Sequence, residues 1–146
     1  MGYEIDGINS TVIFLPKHHN DIITILQKYS KNNSKNITEL FRDLRYHISI
    51  SDINNIYIKD IVRQFKLHYD EEELWSNLAP YISHGGYIVW YGEDGKIWRY
   101  LFKNSNMEIE YAHEEILANF SYIINKLKLL GDADVNKIIK DIEWVV

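Results

Sequence analysis

The chain has 146 residues, of which 46% are hydrophobic and 25% charged, and its formal net charge at pH 7 is −5. These values predict one globular domain, residues 1–146, which folds without disulfides because the sequence contains no cysteine. No apolar run approaches the roughly 18 residues of a membrane-spanning helix, and the N-terminal residues do not resemble a secretory signal. The sequence therefore predicts a cytoplasmic protein without a membrane partner.

Charged residues are distributed unevenly along the chain. Residues 17–68 contain nine Lys and Arg against five Asp and Glu, whereas residues 69–95 contain six acidic residues and neither Lys nor Arg. An uneven charge distribution of this kind is evidence about how the protein associates with partners, and it does not indicate a particular fold.

The first half of the chain is predicted to contain strands and helices in alternation. The β-branched segment 10–15 indicates a buried strand, and the apolar periodicity of 20–29 and 37–44 indicates two helices. Strict alternation in "RYHISIS" (45–51) is typical of a half-buried strand. Asp52 is interpreted as the cap of a further helix. The apolar positions assigned to that helix are Ile53, Ile56, Tyr57, Ile61 and Phe65.

A β-hairpin dominates the middle of the second half. It follows a helix whose capping box is Asp70 and Glu73. Asp94 and Gly95 are expected to form a two-residue turn, which would place Tyr91 opposite Trp98 and Trp90 opposite Arg99. A third strand at 107–111 would complete a three-stranded antiparallel meander over about 87–111. Both faces of the hairpin are apolar, so either helices cover both faces or one face receives a partner.

Two further amphipathic segments, 113–131 and 132–146, predict a C-terminal helical hairpin. This hairpin either packs on the sheet or pairs with a second copy through residues 114–146. The fold class predicted from all elements is α+β, with an antiparallel sheet packed by helices.

The segment 78–104 resembles a motif of small bacterial and phage proteins, G-x-x-I-x-W-x-G-E-D-G-x-x-W-R-x-x-F. The matching residues are Gly85, Ile88, Trp90, Gly92 to Gly95, Trp98, Arg99 and Phe102. The resemblance implies a shared α+β domain in which the hairpin is a structural signature, and it implies no catalytic residue.

Patterns for catalysis and cofactor binding are sparse. The six histidines lack metal-ligand spacing, and the sequence has neither a phosphate-binding loop motif nor a nucleophile elbow. We therefore predict no metal site and no cofactor. "HISI" (47–50) matches one strand of the two-histidine phosphoesterases, in which imidazoles act as acid and base. Because one copy is present, a phosphoesterase that uses His47 and Ser49 is kept as an alternative.

Acidic and aromatic residues coincide between residues 69 and 102. Trp and Tyr dominate interface hot spots, and an acidic rim accelerates encounter with a basic partner. The sequence predicts a non-enzymatic binding module, an immunity protein or a phage anti-defence inhibitor, that acts on a basic protein. Nucleic acid is not an expected partner because the aromatic residues do not coincide with the basic ones. The predicted contact residues are Glu71, Glu72, Glu73, Trp75, Tyr91, Glu93, Asp94 and Trp98. The alternative is that these aromatic residues fill the core.

Overall fold

A computed structural model describes residues 4–61, 65–66, 70–92, 94–112 and 144–145 of the chain. Within these residues, the strands are β1 (Glu4–Ser10), β2 (Ile13–Phe14), β3 (Tyr46–Ile50), β4 (Ile56–Ile61), β5 (Phe65–Lys66), β6 (Tyr87–Gly92), β7 (Ile97–Lys103), β8 (Asn106–Ala112) and β9 (Trp144–Val145). The helices are α1 (His19–Ser30), α2 (Ile37–Asp43) and α3 (Glu71–Leu78), with short 3-10 turns at Pro16–His18 and Ala79–Tyr81. The predicted α+β class is confirmed.

The strands form two antiparallel sheets. The larger has the order β5-β1-β6-β7-β8-β9, and the smaller has the order β2-β4-β3. Strands β6, β7 and β8 are consecutive neighbours in the larger sheet, where β1 pairs with the free side of β6 and β9 with that of β8. The segment predicted as a meander therefore lies inside a wider sheet.

One register connects the two sheets. Glu4 in β1 pairs with Lys66 in β5, and Ile13 in β2 pairs with Tyr57 in β4. The step of nine residues from Glu4 to Ile13 equals the step from Lys66 back to Tyr57. The paired ends, Glu4–Ile5 with Phe65–Lys66 and Ile13–Phe14 with Ile56–Tyr57, thus share one antiparallel alignment and belong to different sheets.

Aromatic side chains dominate the core between the sheets and the helices. Trp75 of α3 is at its centre, with ring centroids 5.3 Å from Tyr46, 6.0 Å from Phe102 and 6.3 Å from Phe14. Its indole N–H donates a hydrogen bond of 3.0 Å to the Tyr46 hydroxyl. Burial of each such side chain stabilises the fold by roughly 1.5–3 kcal/mol.

The segment that follows β3 is a strand and not the predicted helix. The Ser51 N–H donates to the Asn55 carbonyl at 2.9 Å, and Asn54 has a φ of 62°, so residues 51–55 form the turn of a β-hairpin. After the turn, Ile56 and Ile58 are buried on one side of β4. The prediction that Asp52 caps a helix is wrong because the apolar spacing of this short segment fits both a strand and a helix.

The predicted strand at 10–15 is also corrected. Ser10 ends β1 and Ile13–Phe14 form β2, with a break between them where the Val12 N–H donates to the Ser10 hydroxyl at 3.2 Å. The longer strand β1 precedes this break and was not predicted.

The hairpin between β6 and β7 has a different turn from the predicted one. The Gly92 N–H donates to the Lys96 carbonyl at 2.8 Å, so three residues separate the paired positions, and Gly95 has a φ of +83°. Tyr91 consequently pairs with Ile97, and Trp90 pairs with Trp98. The predicted pairs Tyr91–Trp98 and Trp90–Arg99 are wrong by one residue, which exchanges the faces of β7.

Both faces of this hairpin are buried. Trp90 and Tyr100 face the aromatic core, which we call the inner face, whereas Val89, Ile97 and Leu101 are buried on the outer face. The predicted C-terminal helical hairpin lies outside the described residues over 113–143. At Trp144–Val145 the chain is a strand, so the prediction of helix is wrong at these two positions.

Candidate functional site

Two neighbouring aromatic side chains reach the surface at the inner face of the larger sheet. Trp98 in β7 is half-buried, and its cross-strand neighbour Tyr111 in β8 is 51% exposed. Directly paired residues of antiparallel strands have side chains on the same face, with Cβ atoms about 4.5–5.5 Å apart. On the other side of Trp98, Trp90 is fully buried. We call Trp98 and Tyr111 the aromatic platform.

The platform is adjacent to a carboxyl–phenol pair in which Tyr100 is buried and Glu71 is half-buried. The Tyr100 hydroxyl donates a hydrogen bond to Oε2 of Glu71, the first residue of α3. Burial raises the pKa of Glu71 to about 7, an effect that the hydrogen bond from Tyr100 opposes and the charges of Glu72 and Asp70 reinforce. Trp98 lies two residues before Tyr100 on the same face of β7 and slightly opposes the rise in the pKa of Tyr100. Glu71 therefore exchanges its proton near neutral pH beside the platform.

Tyr100 retains its proton throughout this range. Burial is the main reason that its pKa is raised well above the ordinary value of 10, and the neighbouring Glu71 carboxylate raises it further. The phenol is therefore a hydrogen-bond donor to Glu71 whether or not Glu71 is ionised. Such a group positions the carboxyl group and does not act as a base.

The start of α3 directs its acidic residues to different surroundings. The Asp70 side chain accepts a hydrogen bond of 3.0 Å from the Glu73 N–H and so caps the helix. Glu71 faces Tyr100, whereas the Glu73 carboxylate is 3.9 Å from Lys28 Nζ on α1. Glu72 is exposed. Asp70, Glu72 and Glu73 are therefore exposed around the half-buried Glu71, and of these three Asp70 caps the helix and Glu73 faces Lys28.

The tip of the β6–β7 hairpin contributes Asp94. This residue is exposed, and its carboxylate accepts a hydrogen bond of 3.1 Å from the Lys96 N–H, with Lys96 Nζ at 3.8 Å. Trp98 is two residues beyond Lys96, or about 7 Å along an extended strand. The charge of Lys96 offsets that of Asp94. Glu93 lies outside the described residues.

Two predicted contact residues are not part of this surface. Trp75 is 0% exposed and belongs to the core, so its prediction as a contact residue is corrected. Tyr91 precedes the turn on the outer face, opposite to Trp98, because successive residues of a strand alternate between faces and Trp90 faces inward. The structure brings together Glu71, Glu72 and Trp98 from the predicted set.

The contact residues predicted from the sequence include neither Tyr100 nor Tyr111. Tyr100 carries no local signal, because its partner Glu71 is 29 positions away. Tyr111 shares the inner face of β8 with Met107 and Ile109. It is exposed because it lies near the end of β8, at the margin of the core.

Arg99, on the outer face, forms the most enclosed ion pair among the described residues. Its Nη2 is 2.7 Å from Glu110 Oε1, and its guanidinium is 4.7 Å from the centre of the Trp144 ring and 5.6 Å from that of Tyr87. The guanidinium is therefore paired and stacked within the protein. This arrangement holds β9 against β8 rather than presenting a charge to a ligand.

The alternative catalytic pair, His47 and Ser49, lies on β3 with both side chains exposed. Their Cα partners on β4 are Asp60 and Tyr57, so the neighbouring strand supplies no second histidine next to them. Among the described residues, no three His, Asp or Glu side chains are grouped closely enough to share a metal ion.

Comparison with protein-family models, curated proteins and solved structures found no match. In the part of the chain that the structure describes, no helix has the length and hydropathy required to cross a membrane.

Proposed function

We propose that this protein is a non-enzymatic binding module, an immunity or anti-defence inhibitor protein, whose aromatic platform receives a basic side chain of another protein. The observation that carries the proposal is the exposure of Tyr111 beside Trp98, next to the carboxyl groups of Glu71 and Glu72.

The chemistry of the surface favours a cationic group. A Lys or Arg side chain over an aromatic ring gains roughly 0.5–2 kcal/mol, and more when it is desolvated. Glu72 supplies a solvent-exposed negative charge, and Glu71 supplies a second one when it ionises. Packing of Trp98 against the core restricts its rotation before binding, which reduces the entropy lost on association.

Both proposed roles require the same interaction. An immunity protein and an anti-defence inhibitor each occupy a basic surface of their target, for which the net charge of −5 and the small size of the chain are suited. The identity of the captured protein distinguishes the two roles.

Charge reversal at Glu72 tests the surface. Immobilised wild type, Glu72→Arg and Tyr111→Ser should be exposed to lysate of the source organism, with Glu108→Arg as the matched control. Glu108 is also exposed but lies on the outer face, since Met107 and Ile109 beside it face the core. We expect a basic protein that binds wild type and the control, is released by salt, and is lost with both platform variants.

Two results would contradict the proposal. Capture that persists with Glu72→Arg and Tyr111→Ser would remove the platform as the binding surface, and wild type that captures no stoichiometric protein would argue against a binding module.

The pH dependence of binding offers a second test with the captured partner. A cation near Glu71 stabilises its carboxylate, so affinity should rise between pH 6 and pH 8 as Glu71 ionises. Glu71→Gln, which cannot ionise, should flatten this rise when affinity is measured by calorimetry. An equal rise in wild type and Glu71→Gln would exclude Glu71 from the interface.

A further inference from the structure

Strand β3 forms one edge of the smaller sheet. Within the described residues it pairs with β4 on one side only, and its five residues, YHISI, include no Lys, Arg, Asp, Glu or Pro. The ladder between β3 and β4 contains one bulge. His47 pairs with Asp60 and the next residue, Ile48, pairs with Ile58, so the unpaired residue of the bulge lies on β4 and not on β3. Proteins commonly protect exposed edges with charges, prolines or bulges. Strand β3 carries none of these on its own residues.

Apolar surface is concentrated near the end of this strand. Ile50 is 48% exposed, and Ile53 in the following turn is 71% exposed. Ile50 pairs with Ile56, which pairs with Phe14. Leu15, which follows Phe14 and is 37% exposed, therefore lies at the same end of the sheet. Three of the four large hydrophobic residues identified as exposed in the described chain are thus at this end.

We propose that this protein forms a homodimer in which the β3 strands of two copies pair antiparallel about a two-fold axis at Ile48. The two smaller sheets then become one continuous sheet of six strands. Ile48 of each copy faces Ile48 of the other, and His47 faces Ser49 of the second copy. Ile50 faces Tyr46 of the second copy, which extends the apolar row of one sheet onto that of the other.

Charges at the ends of β3 select this arrangement. Arg45 precedes the strand and Asp52 follows it, both are exposed, and neither is in the ion pairs found among the described residues. Antiparallel pairing about Ile48 places Arg45 opposite Ser51 of the second copy and next to its Asp52. The symmetry produces this contact twice. Parallel pairing would instead bring Arg45 towards Arg45, which is unfavourable.

This proposal is independent of the aromatic platform. The platform is on the larger sheet, whereas β3 is the edge of the smaller one. A variant that loses one interaction should therefore retain the other.

Charge exchange tests the interface by sedimentation velocity of the full chain across a concentration series. We expect wild type to form a dimer, and Arg45→Asp or Asp52→Arg to weaken dimerisation at least tenfold by placing like charges together. The double variant Arg45→Asp/Asp52→Arg should restore the dimer. Asp is suited to position 45 because it tolerates the positive φ of 77° found there.

Cysteine pairing tests the register, since the chain has no cysteine of its own. A mixture of His47→Cys and Ser49→Cys copies should form a disulfide on oxidation because these positions are opposite each other, at a Cβ separation near the upper end of the range that a disulfide accepts. Neither variant alone should cross-link comparably, and circular dichroism should confirm that both fold.

Any of three results would overturn the proposal. The first is a wild-type chain that stays monomeric to about 1 mM, which corresponds to less than roughly 4 kcal/mol of association energy. The second is a dimer whose affinity neither single charge reversal changes. The third is cross-linking of each single cysteine variant that equals the cross-linking of the mixture. A chain that stays monomeric but acquires a strand from another protein would also overturn it.

Discussion

Two buried tryptophans show how similar residues can have different energetic roles. Trp75 and Trp90 are both 0% exposed, but the Trp75 N–H donates to Tyr46 whereas the Trp90 N–H has no hydrogen-bond partner within the described structure. A buried donor without a partner costs about 1–3 kcal/mol. Trp90 therefore contributes hydrophobic burial that its unpaired N–H partly cancels.

Replacement of each tryptophan by phenylalanine should separate these contributions. Both changes remove a similar ring volume, but only Trp75→Phe removes a hydrogen bond, whereas Trp90→Phe removes the unpaired donor. We expect Trp75→Phe to lower the free energy of unfolding by about 1–2 kcal/mol more than Trp90→Phe does. Urea unfolding of both variants measures the difference, and equal losses would contradict this interpretation.

At the scale of elements, the hairpin depends on one turn position. Gly95 has a φ of +83°, a conformation that strains residues with a Cβ, although asparagine tolerates it better than alanine. This single residue permits the three-residue loop and therefore the register that places Trp98 beside Trp90.

Alanine and asparagine at position 95 form a matched pair of variants. Gly95→Ala should destabilise the fold by about 1 kcal/mol because alanine must adopt the left-handed conformation, whereas Gly95→Asn should cost less. Thermal and denaturant unfolding would compare the two. If alanine is tolerated as well as asparagine, the backbone at this turn is not the constraint that its φ indicates.

The elements also show which features of the sequence specify structure. The three α-helices of the described residues were predicted, α1 and α2 from their apolar periodicity and α3 from the capping box of Asp70 and Glu73. The β4 segment was misread because its apolar residues are few enough to fit two periodicities. The hairpin register was missed because Asp94-Gly95 suits a two-residue turn as well as the last two positions of a three-residue one.

The candidate site was less predictable than the helices. Trp75 and Trp98 each follow a buried apolar residue, Leu74 and Ile97, but one fills the core and the other reaches the surface, because burial depends on contacts between distant elements. The Glu71–Tyr100 contact joins α3 to β7 and has no local signature.

For the whole molecule, Glu71 links stability to pH. Folding raises its pKa from 4.5 to about 7, so the folded protein holds this proton more tightly than the unfolded chain does. The stabilising contribution of the proton is complete below pH 4.5, declines as the pH rises from 4.5 to 7, and is absent above that range. Its upper limit is roughly 3 kcal/mol.

Glu71→Gln should remove this dependence because glutamine stays neutral. Urea unfolding at each pH measures the free energy of unfolding of both proteins. We expect the value for Glu71→Gln minus the value for wild type to increase from pH 5 to pH 8, because only wild type loses stability over this range. Glu72→Gln is the matched control, since Glu72 is exposed on the same helix turn. A difference that stays constant with pH would mean that Glu71 titrates normally in the folded protein.

The interior position of β1 in the larger sheet has a consequence for synthesis on the ribosome. Its neighbours on either side are β5 and β6, and Ser10 pairs with Ile88. Translation at about 5–20 residues per second separates the emergence of these two residues by roughly 4–16 s. During that interval α1, α2 and the β3–β4 hairpin can form from nearby residues, but β1 has no partner on its β6 side. Completion of the larger sheet is therefore a late, long-range step, and a nascent chain that stops before β6 exposes a strand that the mature protein keeps enclosed.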